Sequence, residues 1–272
     1  VGSHAMRDTP GGRHAATRVA IAAAQQPSPF TRSGPTVGVG RGVLKPEFTA
    51  HGGNWCWDNQ SNALDIREPG TAAIVPIPPT GGRIVGSKTG TSFAAPAVAH
   101  EIARLAERFP DAGANLLRAL AALSARSLTR SLPGFDTTYL SGYGQPDAER
   151  VLESGPHRVF LTFQGSTPTN RVVVHRLPVP REFAEGVRQR TFRVALAFDP
   201  PVRRGRREYV AGTMAVELVR GLSLREVTET YARQPSLADA EADVTLVRHG
   251  LPEGELRPSL TPGATTRHRR PQ

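Results

Sequence analysis

The spacing of apolar residues predicts two helices near the middle of the chain. In the first, apolar residues recur at intervals of four, three and four, at Val98, Ile102, Leu105 and Phe109. That spacing places them on one face of an α-helix that begins at Ser92 and stops before Pro110. A second helix is predicted over residues 113–128. Its apolar stripe consists of Leu116, Leu117, Leu120 and Leu123.

Other segments show the patterns of β-strands. The apolar run Val19–Ala24 suits a short buried strand. After Pro156 the period changes to two, most clearly at Phe192, Val194, Leu196 and Phe198. Several short strands separated by Gly/Pro turns predict a small antiparallel β-sandwich over residues 156–250.

Neither end of the chain is predicted to belong to the fold. Residues 1–6, Val-Gly-Ser-His-Ala-Met, look partly like an expression-tag scar, with native residues after an alternative start as the other interpretation. They are therefore left out of the fold prediction, and residues 1–16 are interpreted as a leader or loop. Residues 251–272 hold little apolar material and predict a flexible basic tail. The basic run Arg203–Arg207 is interpreted as a solvated hairpin tip, with a partner contact as the alternative.

Charge raises the hypothesis of nucleic-acid binding, because the formal net charge is +10. The only lysines are Lys45 and Lys88, so the other 32 of 34 basic residues are arginine. Together with the many Ala, Gly and Pro residues, this ratio indicates a GC-rich genome. No nucleic-acid-binding motif accompanies it. We therefore expect no nucleic-acid partner.

The cysteine content and the hydropathy of the chain bear on its location and on which metal or membrane sites it could have. Cys56 is the single cysteine, so no intrachain disulfide can form, and no Cys/His cluster has zinc-ligand spacing. A chain with one cysteine favours a reducing compartment, and the expected location is cytoplasmic. No apolar run approaches the length of a membrane span, so no membrane partner is expected. We also expect no metal and no cofactor.

Ser92 is the candidate for chemistry. A tight Gly90-Thr91 turn delivers it to the start of the first predicted helix, where serine is a favoured N-cap. Unpaired amides and the positive end of the helix dipole would surround it there. Such amides can receive the oxyanion of a tetrahedral intermediate, which suits a serine nucleophile. The alternative from the residues alone is an N-cap serine on a buried helix.

The segment Gly90–Pro96, Gly-Thr-Ser-Phe-Ala-Ala-Pro, resembles the nucleophile motif Gly-Thr-Ser-x-Ala-x-Pro of the subtilisin-like serine proteases, the subtilases. Three flanking segments are similar to others of that family. Phe30–Pro35 resembles Phe-Ser-Ser-x-Gly-Pro, and Gly42–Asn54 resembles Ile-Lys-Pro-Asp-Val-x-Ala-Pro-Gly, with His51 replacing a proline. Gly142–Leu152 resembles the closing segment of the domain. The resemblance spans about residues 17–153.

The resemblance implies a fold and an activity. The fold is α/β: residues 17–155 form the C-terminal part of a subtilisin-like parallel sheet with flanking helices, and the β-sandwich follows. In this resemblance Val19–Ala24 takes the place of the family's Val-x-Val-Gly-Ala strand. The implied activity is hydrolysis of a polypeptide substrate through an acyl-enzyme on Ser92, whose backbone N–H forms part of the oxyanion hole. The supporting turn comprises Gly90, Thr91 and Pro96. The substrate-cleft candidates are Gly52, Gly53 and Asn54.

The activating groups of the family are not found in the sequence. Its Asp motif, its His-Gly-Thr-His motif and its oxyanion asparagine precede the segments matched here. His14 lies too close to Val19–Ala24 to act as the base, and His51 is interpreted as a loop histidine near the site. We therefore expect an exposed apolar helix, poor folding of residues 7–153 and no proteolysis by the chain alone. An N-terminal half would supply Asp and His. The alternative is a non-catalytic scaffold or interaction module derived from a subtilase.

Overall fold

The computed structural model describes residues 1–12, 15–34, 44–130, 132–155, 158–167, 172–179, 181, 191–200, 202, 205, 214, 216, 218–219 and 222–233. The strands are β1 (Gly2–His4), β2 (Arg18–Ala20), β3 (Thr49–His51), β4 (Cys56–Asp58), β5 (Ala63–Asp65), β6 (Ala73–Thr80) and β7 (Arg83–Lys88). The helices are α1 (Thr91–Arg108), α2 (Ala114–Ser124), α3 (Thr137–Ser141) and α4 (Leu224–Arg233), with a 3-10 turn at Ala148–Arg150.

The parallel part of the fold is the pair β1–β3, which runs in register from Gly2 opposite Thr49 to His4 opposite His51. The amide of Gly2 also donates to the carbonyl of Phe48 at 2.7 Å. All three residues of β1 are buried. Leaving residues 1–6 out of the fold was therefore wrong. The run is short and polar, so no apolar pattern marks it as a strand.

The segment Val19–Ala24 does not form the expected buried strand. Only its first two residues belong to a strand, β2, which lies at the edge of an antiparallel sheet in the order β2-β4-β5. The Val19 side chain is 58% exposed and that of Ile21 is 48% exposed. The parallel strand that precedes β3 along the chain is β1 instead.

Residues 55–85, for which no pattern in the sequence predicted an element, are largely regular. They contain β4, β5 and the antiparallel hairpin β6–β7, which leads directly to the Ser92 turn. Gly81 and Gly82 form the tip of the hairpin with φ angles of 57° and 77°. Two-residue turns with positive φ at both positions fit the twist of a β-hairpin, and Gly-Gly supplies that conformation without strain.

Helix α1 matches the predicted helix within one residue at each end. Its apolar face is covered by β3, α2 and the 3-10 turn. Val98 and Leu105 are 3% and 0% exposed, so the expectation of an exposed apolar helix was wrong. Helix α2 is confirmed but ends at Ser124. The buried core cluster consists of Phe48, Ala50, Ala94, Val98, Leu105, Leu120, Ala121, Ala148 and Val151.

The closing segment returns to the edge of β3. The amide of Tyr143 donates to the Glu47 carbonyl at 2.8 Å, and the amide of Thr49 donates to the Gly144 carbonyl at 2.9 Å. The 3-10 turn follows, with Asp147 at its N-cap position. The Asp147 side chain makes no capping bond there. Its carboxylate accepts a hydrogen bond from Arg126 instead.

The β-sandwich predicted over residues 156–250 is not confirmed. Within the described stretches 158–167, 172–179 and 191–200 the structure contains no strand, and Val159, Phe163 and Phe192 are each more than half exposed. The one regular element described after residue 200 is α4. His14, most of Arg203–Arg207 and residues 251–272 lie outside the described residues. Within the described part, no helix is long and apolar enough to span a membrane. The domain boundaries stay predictions.

Candidate functional site

Ser92 is the second residue of α1 and is exposed. The N-cap is Gly90, so placing Ser92 at that position was wrong. The amide of Phe93 closes the first turn on the Gly90 carbonyl at 3.0 Å, so the helix starts at Thr91, one residue ahead of the serine. Among the described residues, neither the amide nor the hydroxyl of Ser92 has a hydrogen-bond partner. An unpaired N–H is expected this early in a helix.

Gly90 is the residue that turns the chain from β7 into α1. Its φ of 154° and ψ of 152° lie in a region that residues with a side chain rarely adopt. Its amide donates to the Gly52 carbonyl at 2.9 Å. A Cβ at Gly52 would lie 2.6 Å from the Gly90 carbonyl oxygen. The end of β3 and the serine turn therefore touch backbone to backbone, and both contacts need glycine.

A buried hydroxyl network supports this contact from β1. The hydroxyls of Ser3 and Ser28 lie 2.9 Å apart, and the Ser28 hydroxyl donates to the Gly53 carbonyl at 2.6 Å. The hydroxyl of Thr31 donates to the Ser3 carbonyl at 2.6 Å. Three short polar side chains thereby fix the loop that follows β3 against the strand β1.

The other side of the turn is held through Thr89. Its hydroxyl donates to the Ile66 carbonyl at 3.0 Å and accepts from the indole N–H of Trp55 at 3.1 Å. The Trp55 ring also packs against Phe30, with 5.4 Å between ring centroids. Because Thr89 is the residue before Gly90, these contacts set the direction from which the chain enters the serine turn.

The three cleft candidates take different places. Gly52 contacts the serine turn directly, and Gly53, with φ of 95°, packs against Thr89. Asn54 is fully buried. Its side-chain oxygen accepts from the amides of Ala22 and Trp55, and its side-chain nitrogen donates to the Ala22 carbonyl at 2.7 Å. Asn54 therefore ties two loops together and does not face a cleft in this structure.

Pro96 lies further into the helix than the sequence analysis placed it. It is in the second turn of α1, where a residue with an N–H would bond the carbonyl four residues earlier. Proline has no N–H, so the carbonyl of Ser92 receives no such bond from it. The helix consequently has a gap in its hydrogen-bond ladder beside the serine.

Two histidines face each other across the parallel strands. His4 and His51 are opposite one another, with ring centroids 6.5 Å apart. Burial and the neighbouring His51 lower the pKa of His4 to about 4, and burial also lowers the pKa of His51. Nδ1 of each ring and the hydroxyl of Thr49 are buried polar atoms without a hydrogen-bond partner. Both rings are therefore neutral at pH 7.

The arrangement presents Ser92 without activating it. A serine hydroxyl is a poor nucleophile until a general base accepts its proton. No carboxylate or imidazole of the described residues hydrogen-bonds to Ser92, and those residues hold no group of three or more His, Cys, Asp or Glu that could bind a metal ion. What the turn does offer is an exposed hydroxyl next to an unpaired amide.

Several residues that shape the site were not found from the sequence. Ser3 and His4 lie in the segment that was set aside, and Ser28, Trp55 and Thr89 carry no motif of their own. Two features of the sequence could have indicated these contacts. Thr89 immediately precedes the Gly-Thr-Ser turn, and the Gly-Gly pair after the strand allows the tight packing at Gly52.

Comparison with known proteins gives two findings. The Subtilase family pattern matches residues 5–145, just over half of the chain. An uncharacterized protein, y4bN, of Sinorhizobium fredii is 35% identical over 222 residues, which cover 79% of this chain and 51% of that protein. The chain thus spans about half the length of the curated relative it matches.

Proposed function

Since the chain belongs to the subtilase family, we propose that it carries the nucleophile, Ser92, of a serine endopeptidase. The general base and the carboxylate that orients it come from a polypeptide segment outside these 272 residues. The observation that carries the proposal is the serine turn: an exposed hydroxyl and an unpaired amide on one residue, held in place through Gly90 and Gly52.

The proposed reaction is peptide-bond hydrolysis in two steps. The base accepts the Ser92 hydroxyl proton while Oγ bonds to the carbonyl carbon of a polypeptide substrate. The carbonyl electron pair moves onto oxygen, and the Ser92 amide donates to the resulting oxyanion. The C–N bond then breaks as the base returns its proton to the leaving amine. Water, deprotonated by the same base, releases the acyl group from Ser92.

The chain's own residues contribute position and part of the oxyanion stabilisation. Losing one oxyanion-hole donor costs roughly 100- to 1,000-fold in kcat in a well-studied serine protease. The larger contribution comes from base and nucleophile together, which act as a unit. A chain that presents Ser92 without a base should therefore have almost no activity by itself.

A second candidate is a non-catalytic scaffold or interaction module. It is favoured by the absence of any described acid or base in contact with Ser92. Against it stands the exposed serine, because a scaffold has no chemical use for a hydroxyl in a turn that requires two glycines. We also propose a cytoplasmic location and no nucleic-acid or membrane partner for the peptidase.

The test combines reading the gene with a protease assay. The DNA upstream of the codon for Val1 is sequenced, and the chain is produced together with what that DNA encodes. We expect Asp and His motifs there, and cleavage of fluorescent casein that Ser92→Ala abolishes. Ser87→Ala, in the adjacent strand β7, should leave the activity unchanged. Activity that survives Ser92→Ala would contradict Ser92 as the nucleophile. No cleavage, together with a start codon and no Asp or His motif before Val1, would support the scaffold.

A further inference from the structure

Four arginines line one cavity, open to solvent, on the side of the core that carries the 3-10 turn. The cavity has a volume of about 570 Å³. Its lining consists of Ala125, Arg126, Ser127, Arg150, Arg158 and Arg193. Arg126 and Arg150 belong to the subtilase-like core, whereas Arg158 and Arg193 belong to the segment that follows it.

Two of these arginines are fixed by contacts with the protein. One guanidinium nitrogen of Arg150 donates to the carbonyls of Ser124 and Ala125, at 3.1 and 3.0 Å, at the C-terminal end of α2. Nε of Arg126 donates to the Asp147 carboxylate at 2.7 Å. Since each guanidinium carries five N–H donors, both arginines keep donors for another acceptor.

Negative charge does not balance this cluster. Asp147 is the one carboxylate paired with any of the four arginines within the described residues. Burial lowers the pKa of Arg150, and Arg193, Arg126 and Arg158 lower it further by repulsion, which Asp147 only partly opposes. Four cations around one cavity repel one another unless an anion lies between them. The geometry therefore favours a ligand with several negative charges.

We propose that this cavity binds a small molecule bearing a chain of phosphate groups. Guanidinium groups match phosphate oxygens with two parallel hydrogen bonds, and four of them suit several phosphates better than one carboxylate. The volume lies within the 300–1,000 Å³ range of small-molecule sites and leaves room beyond a single phosphate. Ser127, also in the lining, carries a hydroxyl that can donate to a further oxygen.

The bound anion would join two parts of the chain. Arg126 and Arg150 approach it from the core, and Arg158 and Arg193 approach it from the segment after residue 155. Neutralising the cluster therefore stabilises the contact between that segment and the core. This site is separate from Ser92, and the proposal does not depend on peptidase activity.

The experiment is calorimetric titration of the full chain with sodium tripolyphosphate at constant ionic strength. We expect saturable one-to-one binding, weaker binding of inorganic phosphate, and binding of ATP comparable to that of tripolyphosphate. The double variant Arg158→Gln/Arg193→Gln should bind tripolyphosphate about 100-fold more weakly, a factor of ten for each lost charge-assisted contact. These two arginines hold no described hydrogen bond through their side chains, so the variant should keep its fold, as checked by circular dichroism.

The matched control is Arg67→Gln/Arg83→Gln, which removes the same charge from exposed positions in the region of β5 and the β6–β7 hairpin. It should bind tripolyphosphate like the unaltered chain. Equal weakening in both double variants would overturn the proposal, because it would show attraction to net charge alone. So would binding of a duplex oligonucleotide that the Arg158/Arg193 variant loses and that tripolyphosphate does not displace.

Discussion

The parallel pair β1–β3 and the antiparallel sheet β2-β4-β5 are built in opposite ways. In the parallel pair β1–β3, Ala50 faces the apolar core against α1. In the antiparallel sheet β2-β4-β5, one row of paired side chains consists of Val19, Trp57 and Leu64, which are 58%, 39% and 42% exposed. The opposite face of this second sheet carries charge. In this sheet the exposed face thus carries the apolar row, and the inner face carries the ion pairs.

The inner face of the antiparallel sheet is held by one arginine. Arg18 forms ion pairs with Asp58, Asp65 and Glu68, the last fully buried. Glu68 also accepts hydrogen bonds from the amides of Gly11 and Gly70. Burial alone would raise the pKa of Glu68, but these bonds and Arg18 outweigh it and hold the pKa below its usual value. The parallel pair is therefore joined to the apolar core through Ala50, whereas the antiparallel sheet is held by charge.

The largest expected effect is loss of the buried carboxylate. Glu68→Ala leaves Arg18 with weaker partners and two backbone amides unpaired, and should lower the free energy of unfolding by about 4 kcal/mol. Glu107→Ala, on the exposed surface of α1, is the control and should change it by less than about 0.5 kcal/mol. Urea unfolding measures both. Equal, small effects would mean that the ion cluster does not hold its sheet.

The next effect compares two leucines directly. Leu105 in α1 is fully buried, whereas Leu64 in β5 is 42% exposed. Leu105→Ala should cost about 3.5 kcal/mol, from lost burial and the cavity left behind. Leu64→Ala should cost less than about 1 kcal/mol, because its side chain is largely in water already. Urea unfolding measures both losses. A larger loss at Leu64 would contradict the placing of apolar side chains on the exposed face of the antiparallel sheet.

Lowering the pH should destabilise the parallel pair β1–β3 before the antiparallel sheet β2-β4-β5. His4 has a folded pKa of about 4, below the ordinary 6.5, so the unfolded chain binds the proton first. The free energy of unfolding is then unaffected above pH 6.5 and falls by about 3 kcal/mol as the pH drops to 4. The lowered pKa of Glu68 acts in the same direction but in a lower pH range: its contribution persists above the ordinary carboxylate pKa and is lost only as the pH falls through the folded value.

The difference in acid sensitivity between the two sheets is measured by hydrogen exchange and mass spectrometry at pH 5, with rates corrected for intrinsic exchange. Peptides covering β1 and β3 should lose protection there, whereas β4 and β5 should retain it. His4→Leu should restore protection of β1 at pH 5. Simultaneous loss of protection in both sheets, unchanged by His4→Leu, would show that His4 does not control the acid response.

The smallest effect is expected on the exposed face of the antiparallel sheet. Trp57→Ser replaces an aromatic side chain that is 39% exposed and should change the free energy of unfolding by about 0.5 kcal/mol. Trp55→Phe is the comparison, because it removes the indole N–H that bonds Thr89 and should cost about 1 kcal/mol. Thermal unfolding monitored by circular dichroism ranks the two variants. A larger loss for Trp57→Ser than for Trp55→Phe would show that the exposed face of the antiparallel sheet contributes more to stability than the Trp55–Thr89 hydrogen bond.

The sequence predicted those parts of the fold whose pattern arises from burial. The face of α1 was readable because Val98 and Leu105 must both meet the core, and α2 was readable for the same reason. The closing Gly-Tyr-Gly segment was found through its resemblance. Hydrophobic periodicity reports which side of an element is buried, and in these elements the buried side is apolar.

Hydrophobic periodicity gives the wrong element where burial and polarity do not coincide. β1 is buried but carries Ser3 and His4, so it has no apolar signature. Val19 looks like a buried strand residue and is exposed, because the inner face of its sheet is occupied by Arg18 and its carboxylates. The hairpin β6–β7 was missed although its Gly81-Gly82 turn was visible between two apolar runs.

The turn that carries Ser92 was predicted and its surroundings less well, and the catalytic role of Ser92 stays a prediction. The motif identified Ser92, Gly90 and the turn between them. The N-cap position was wrong because Gly90, bonded to Gly52, starts the helix earlier. Thr89 lies 34 residues from its partner Trp55, and Ser28 lies 25 residues from its partner Ser3. These separations follow no simple pattern, so spacing alone could not reveal the supports; their contacts are set by the folded chain.

The most direct test of the account is the reactivity of Ser92 in this chain alone. The chain is incubated with a fluorophosphonate probe at pH 7.5, and labelled peptides are quantified by mass spectrometry after circular dichroism has shown that the chain is folded. Because the turn presents the hydroxyl without a base, labelling of Ser92 should be as slow as that of Ser87. Rapid, stoichiometric labelling that Ser92→Ala abolishes would contradict the account, since it would show that these 272 residues already contain the base.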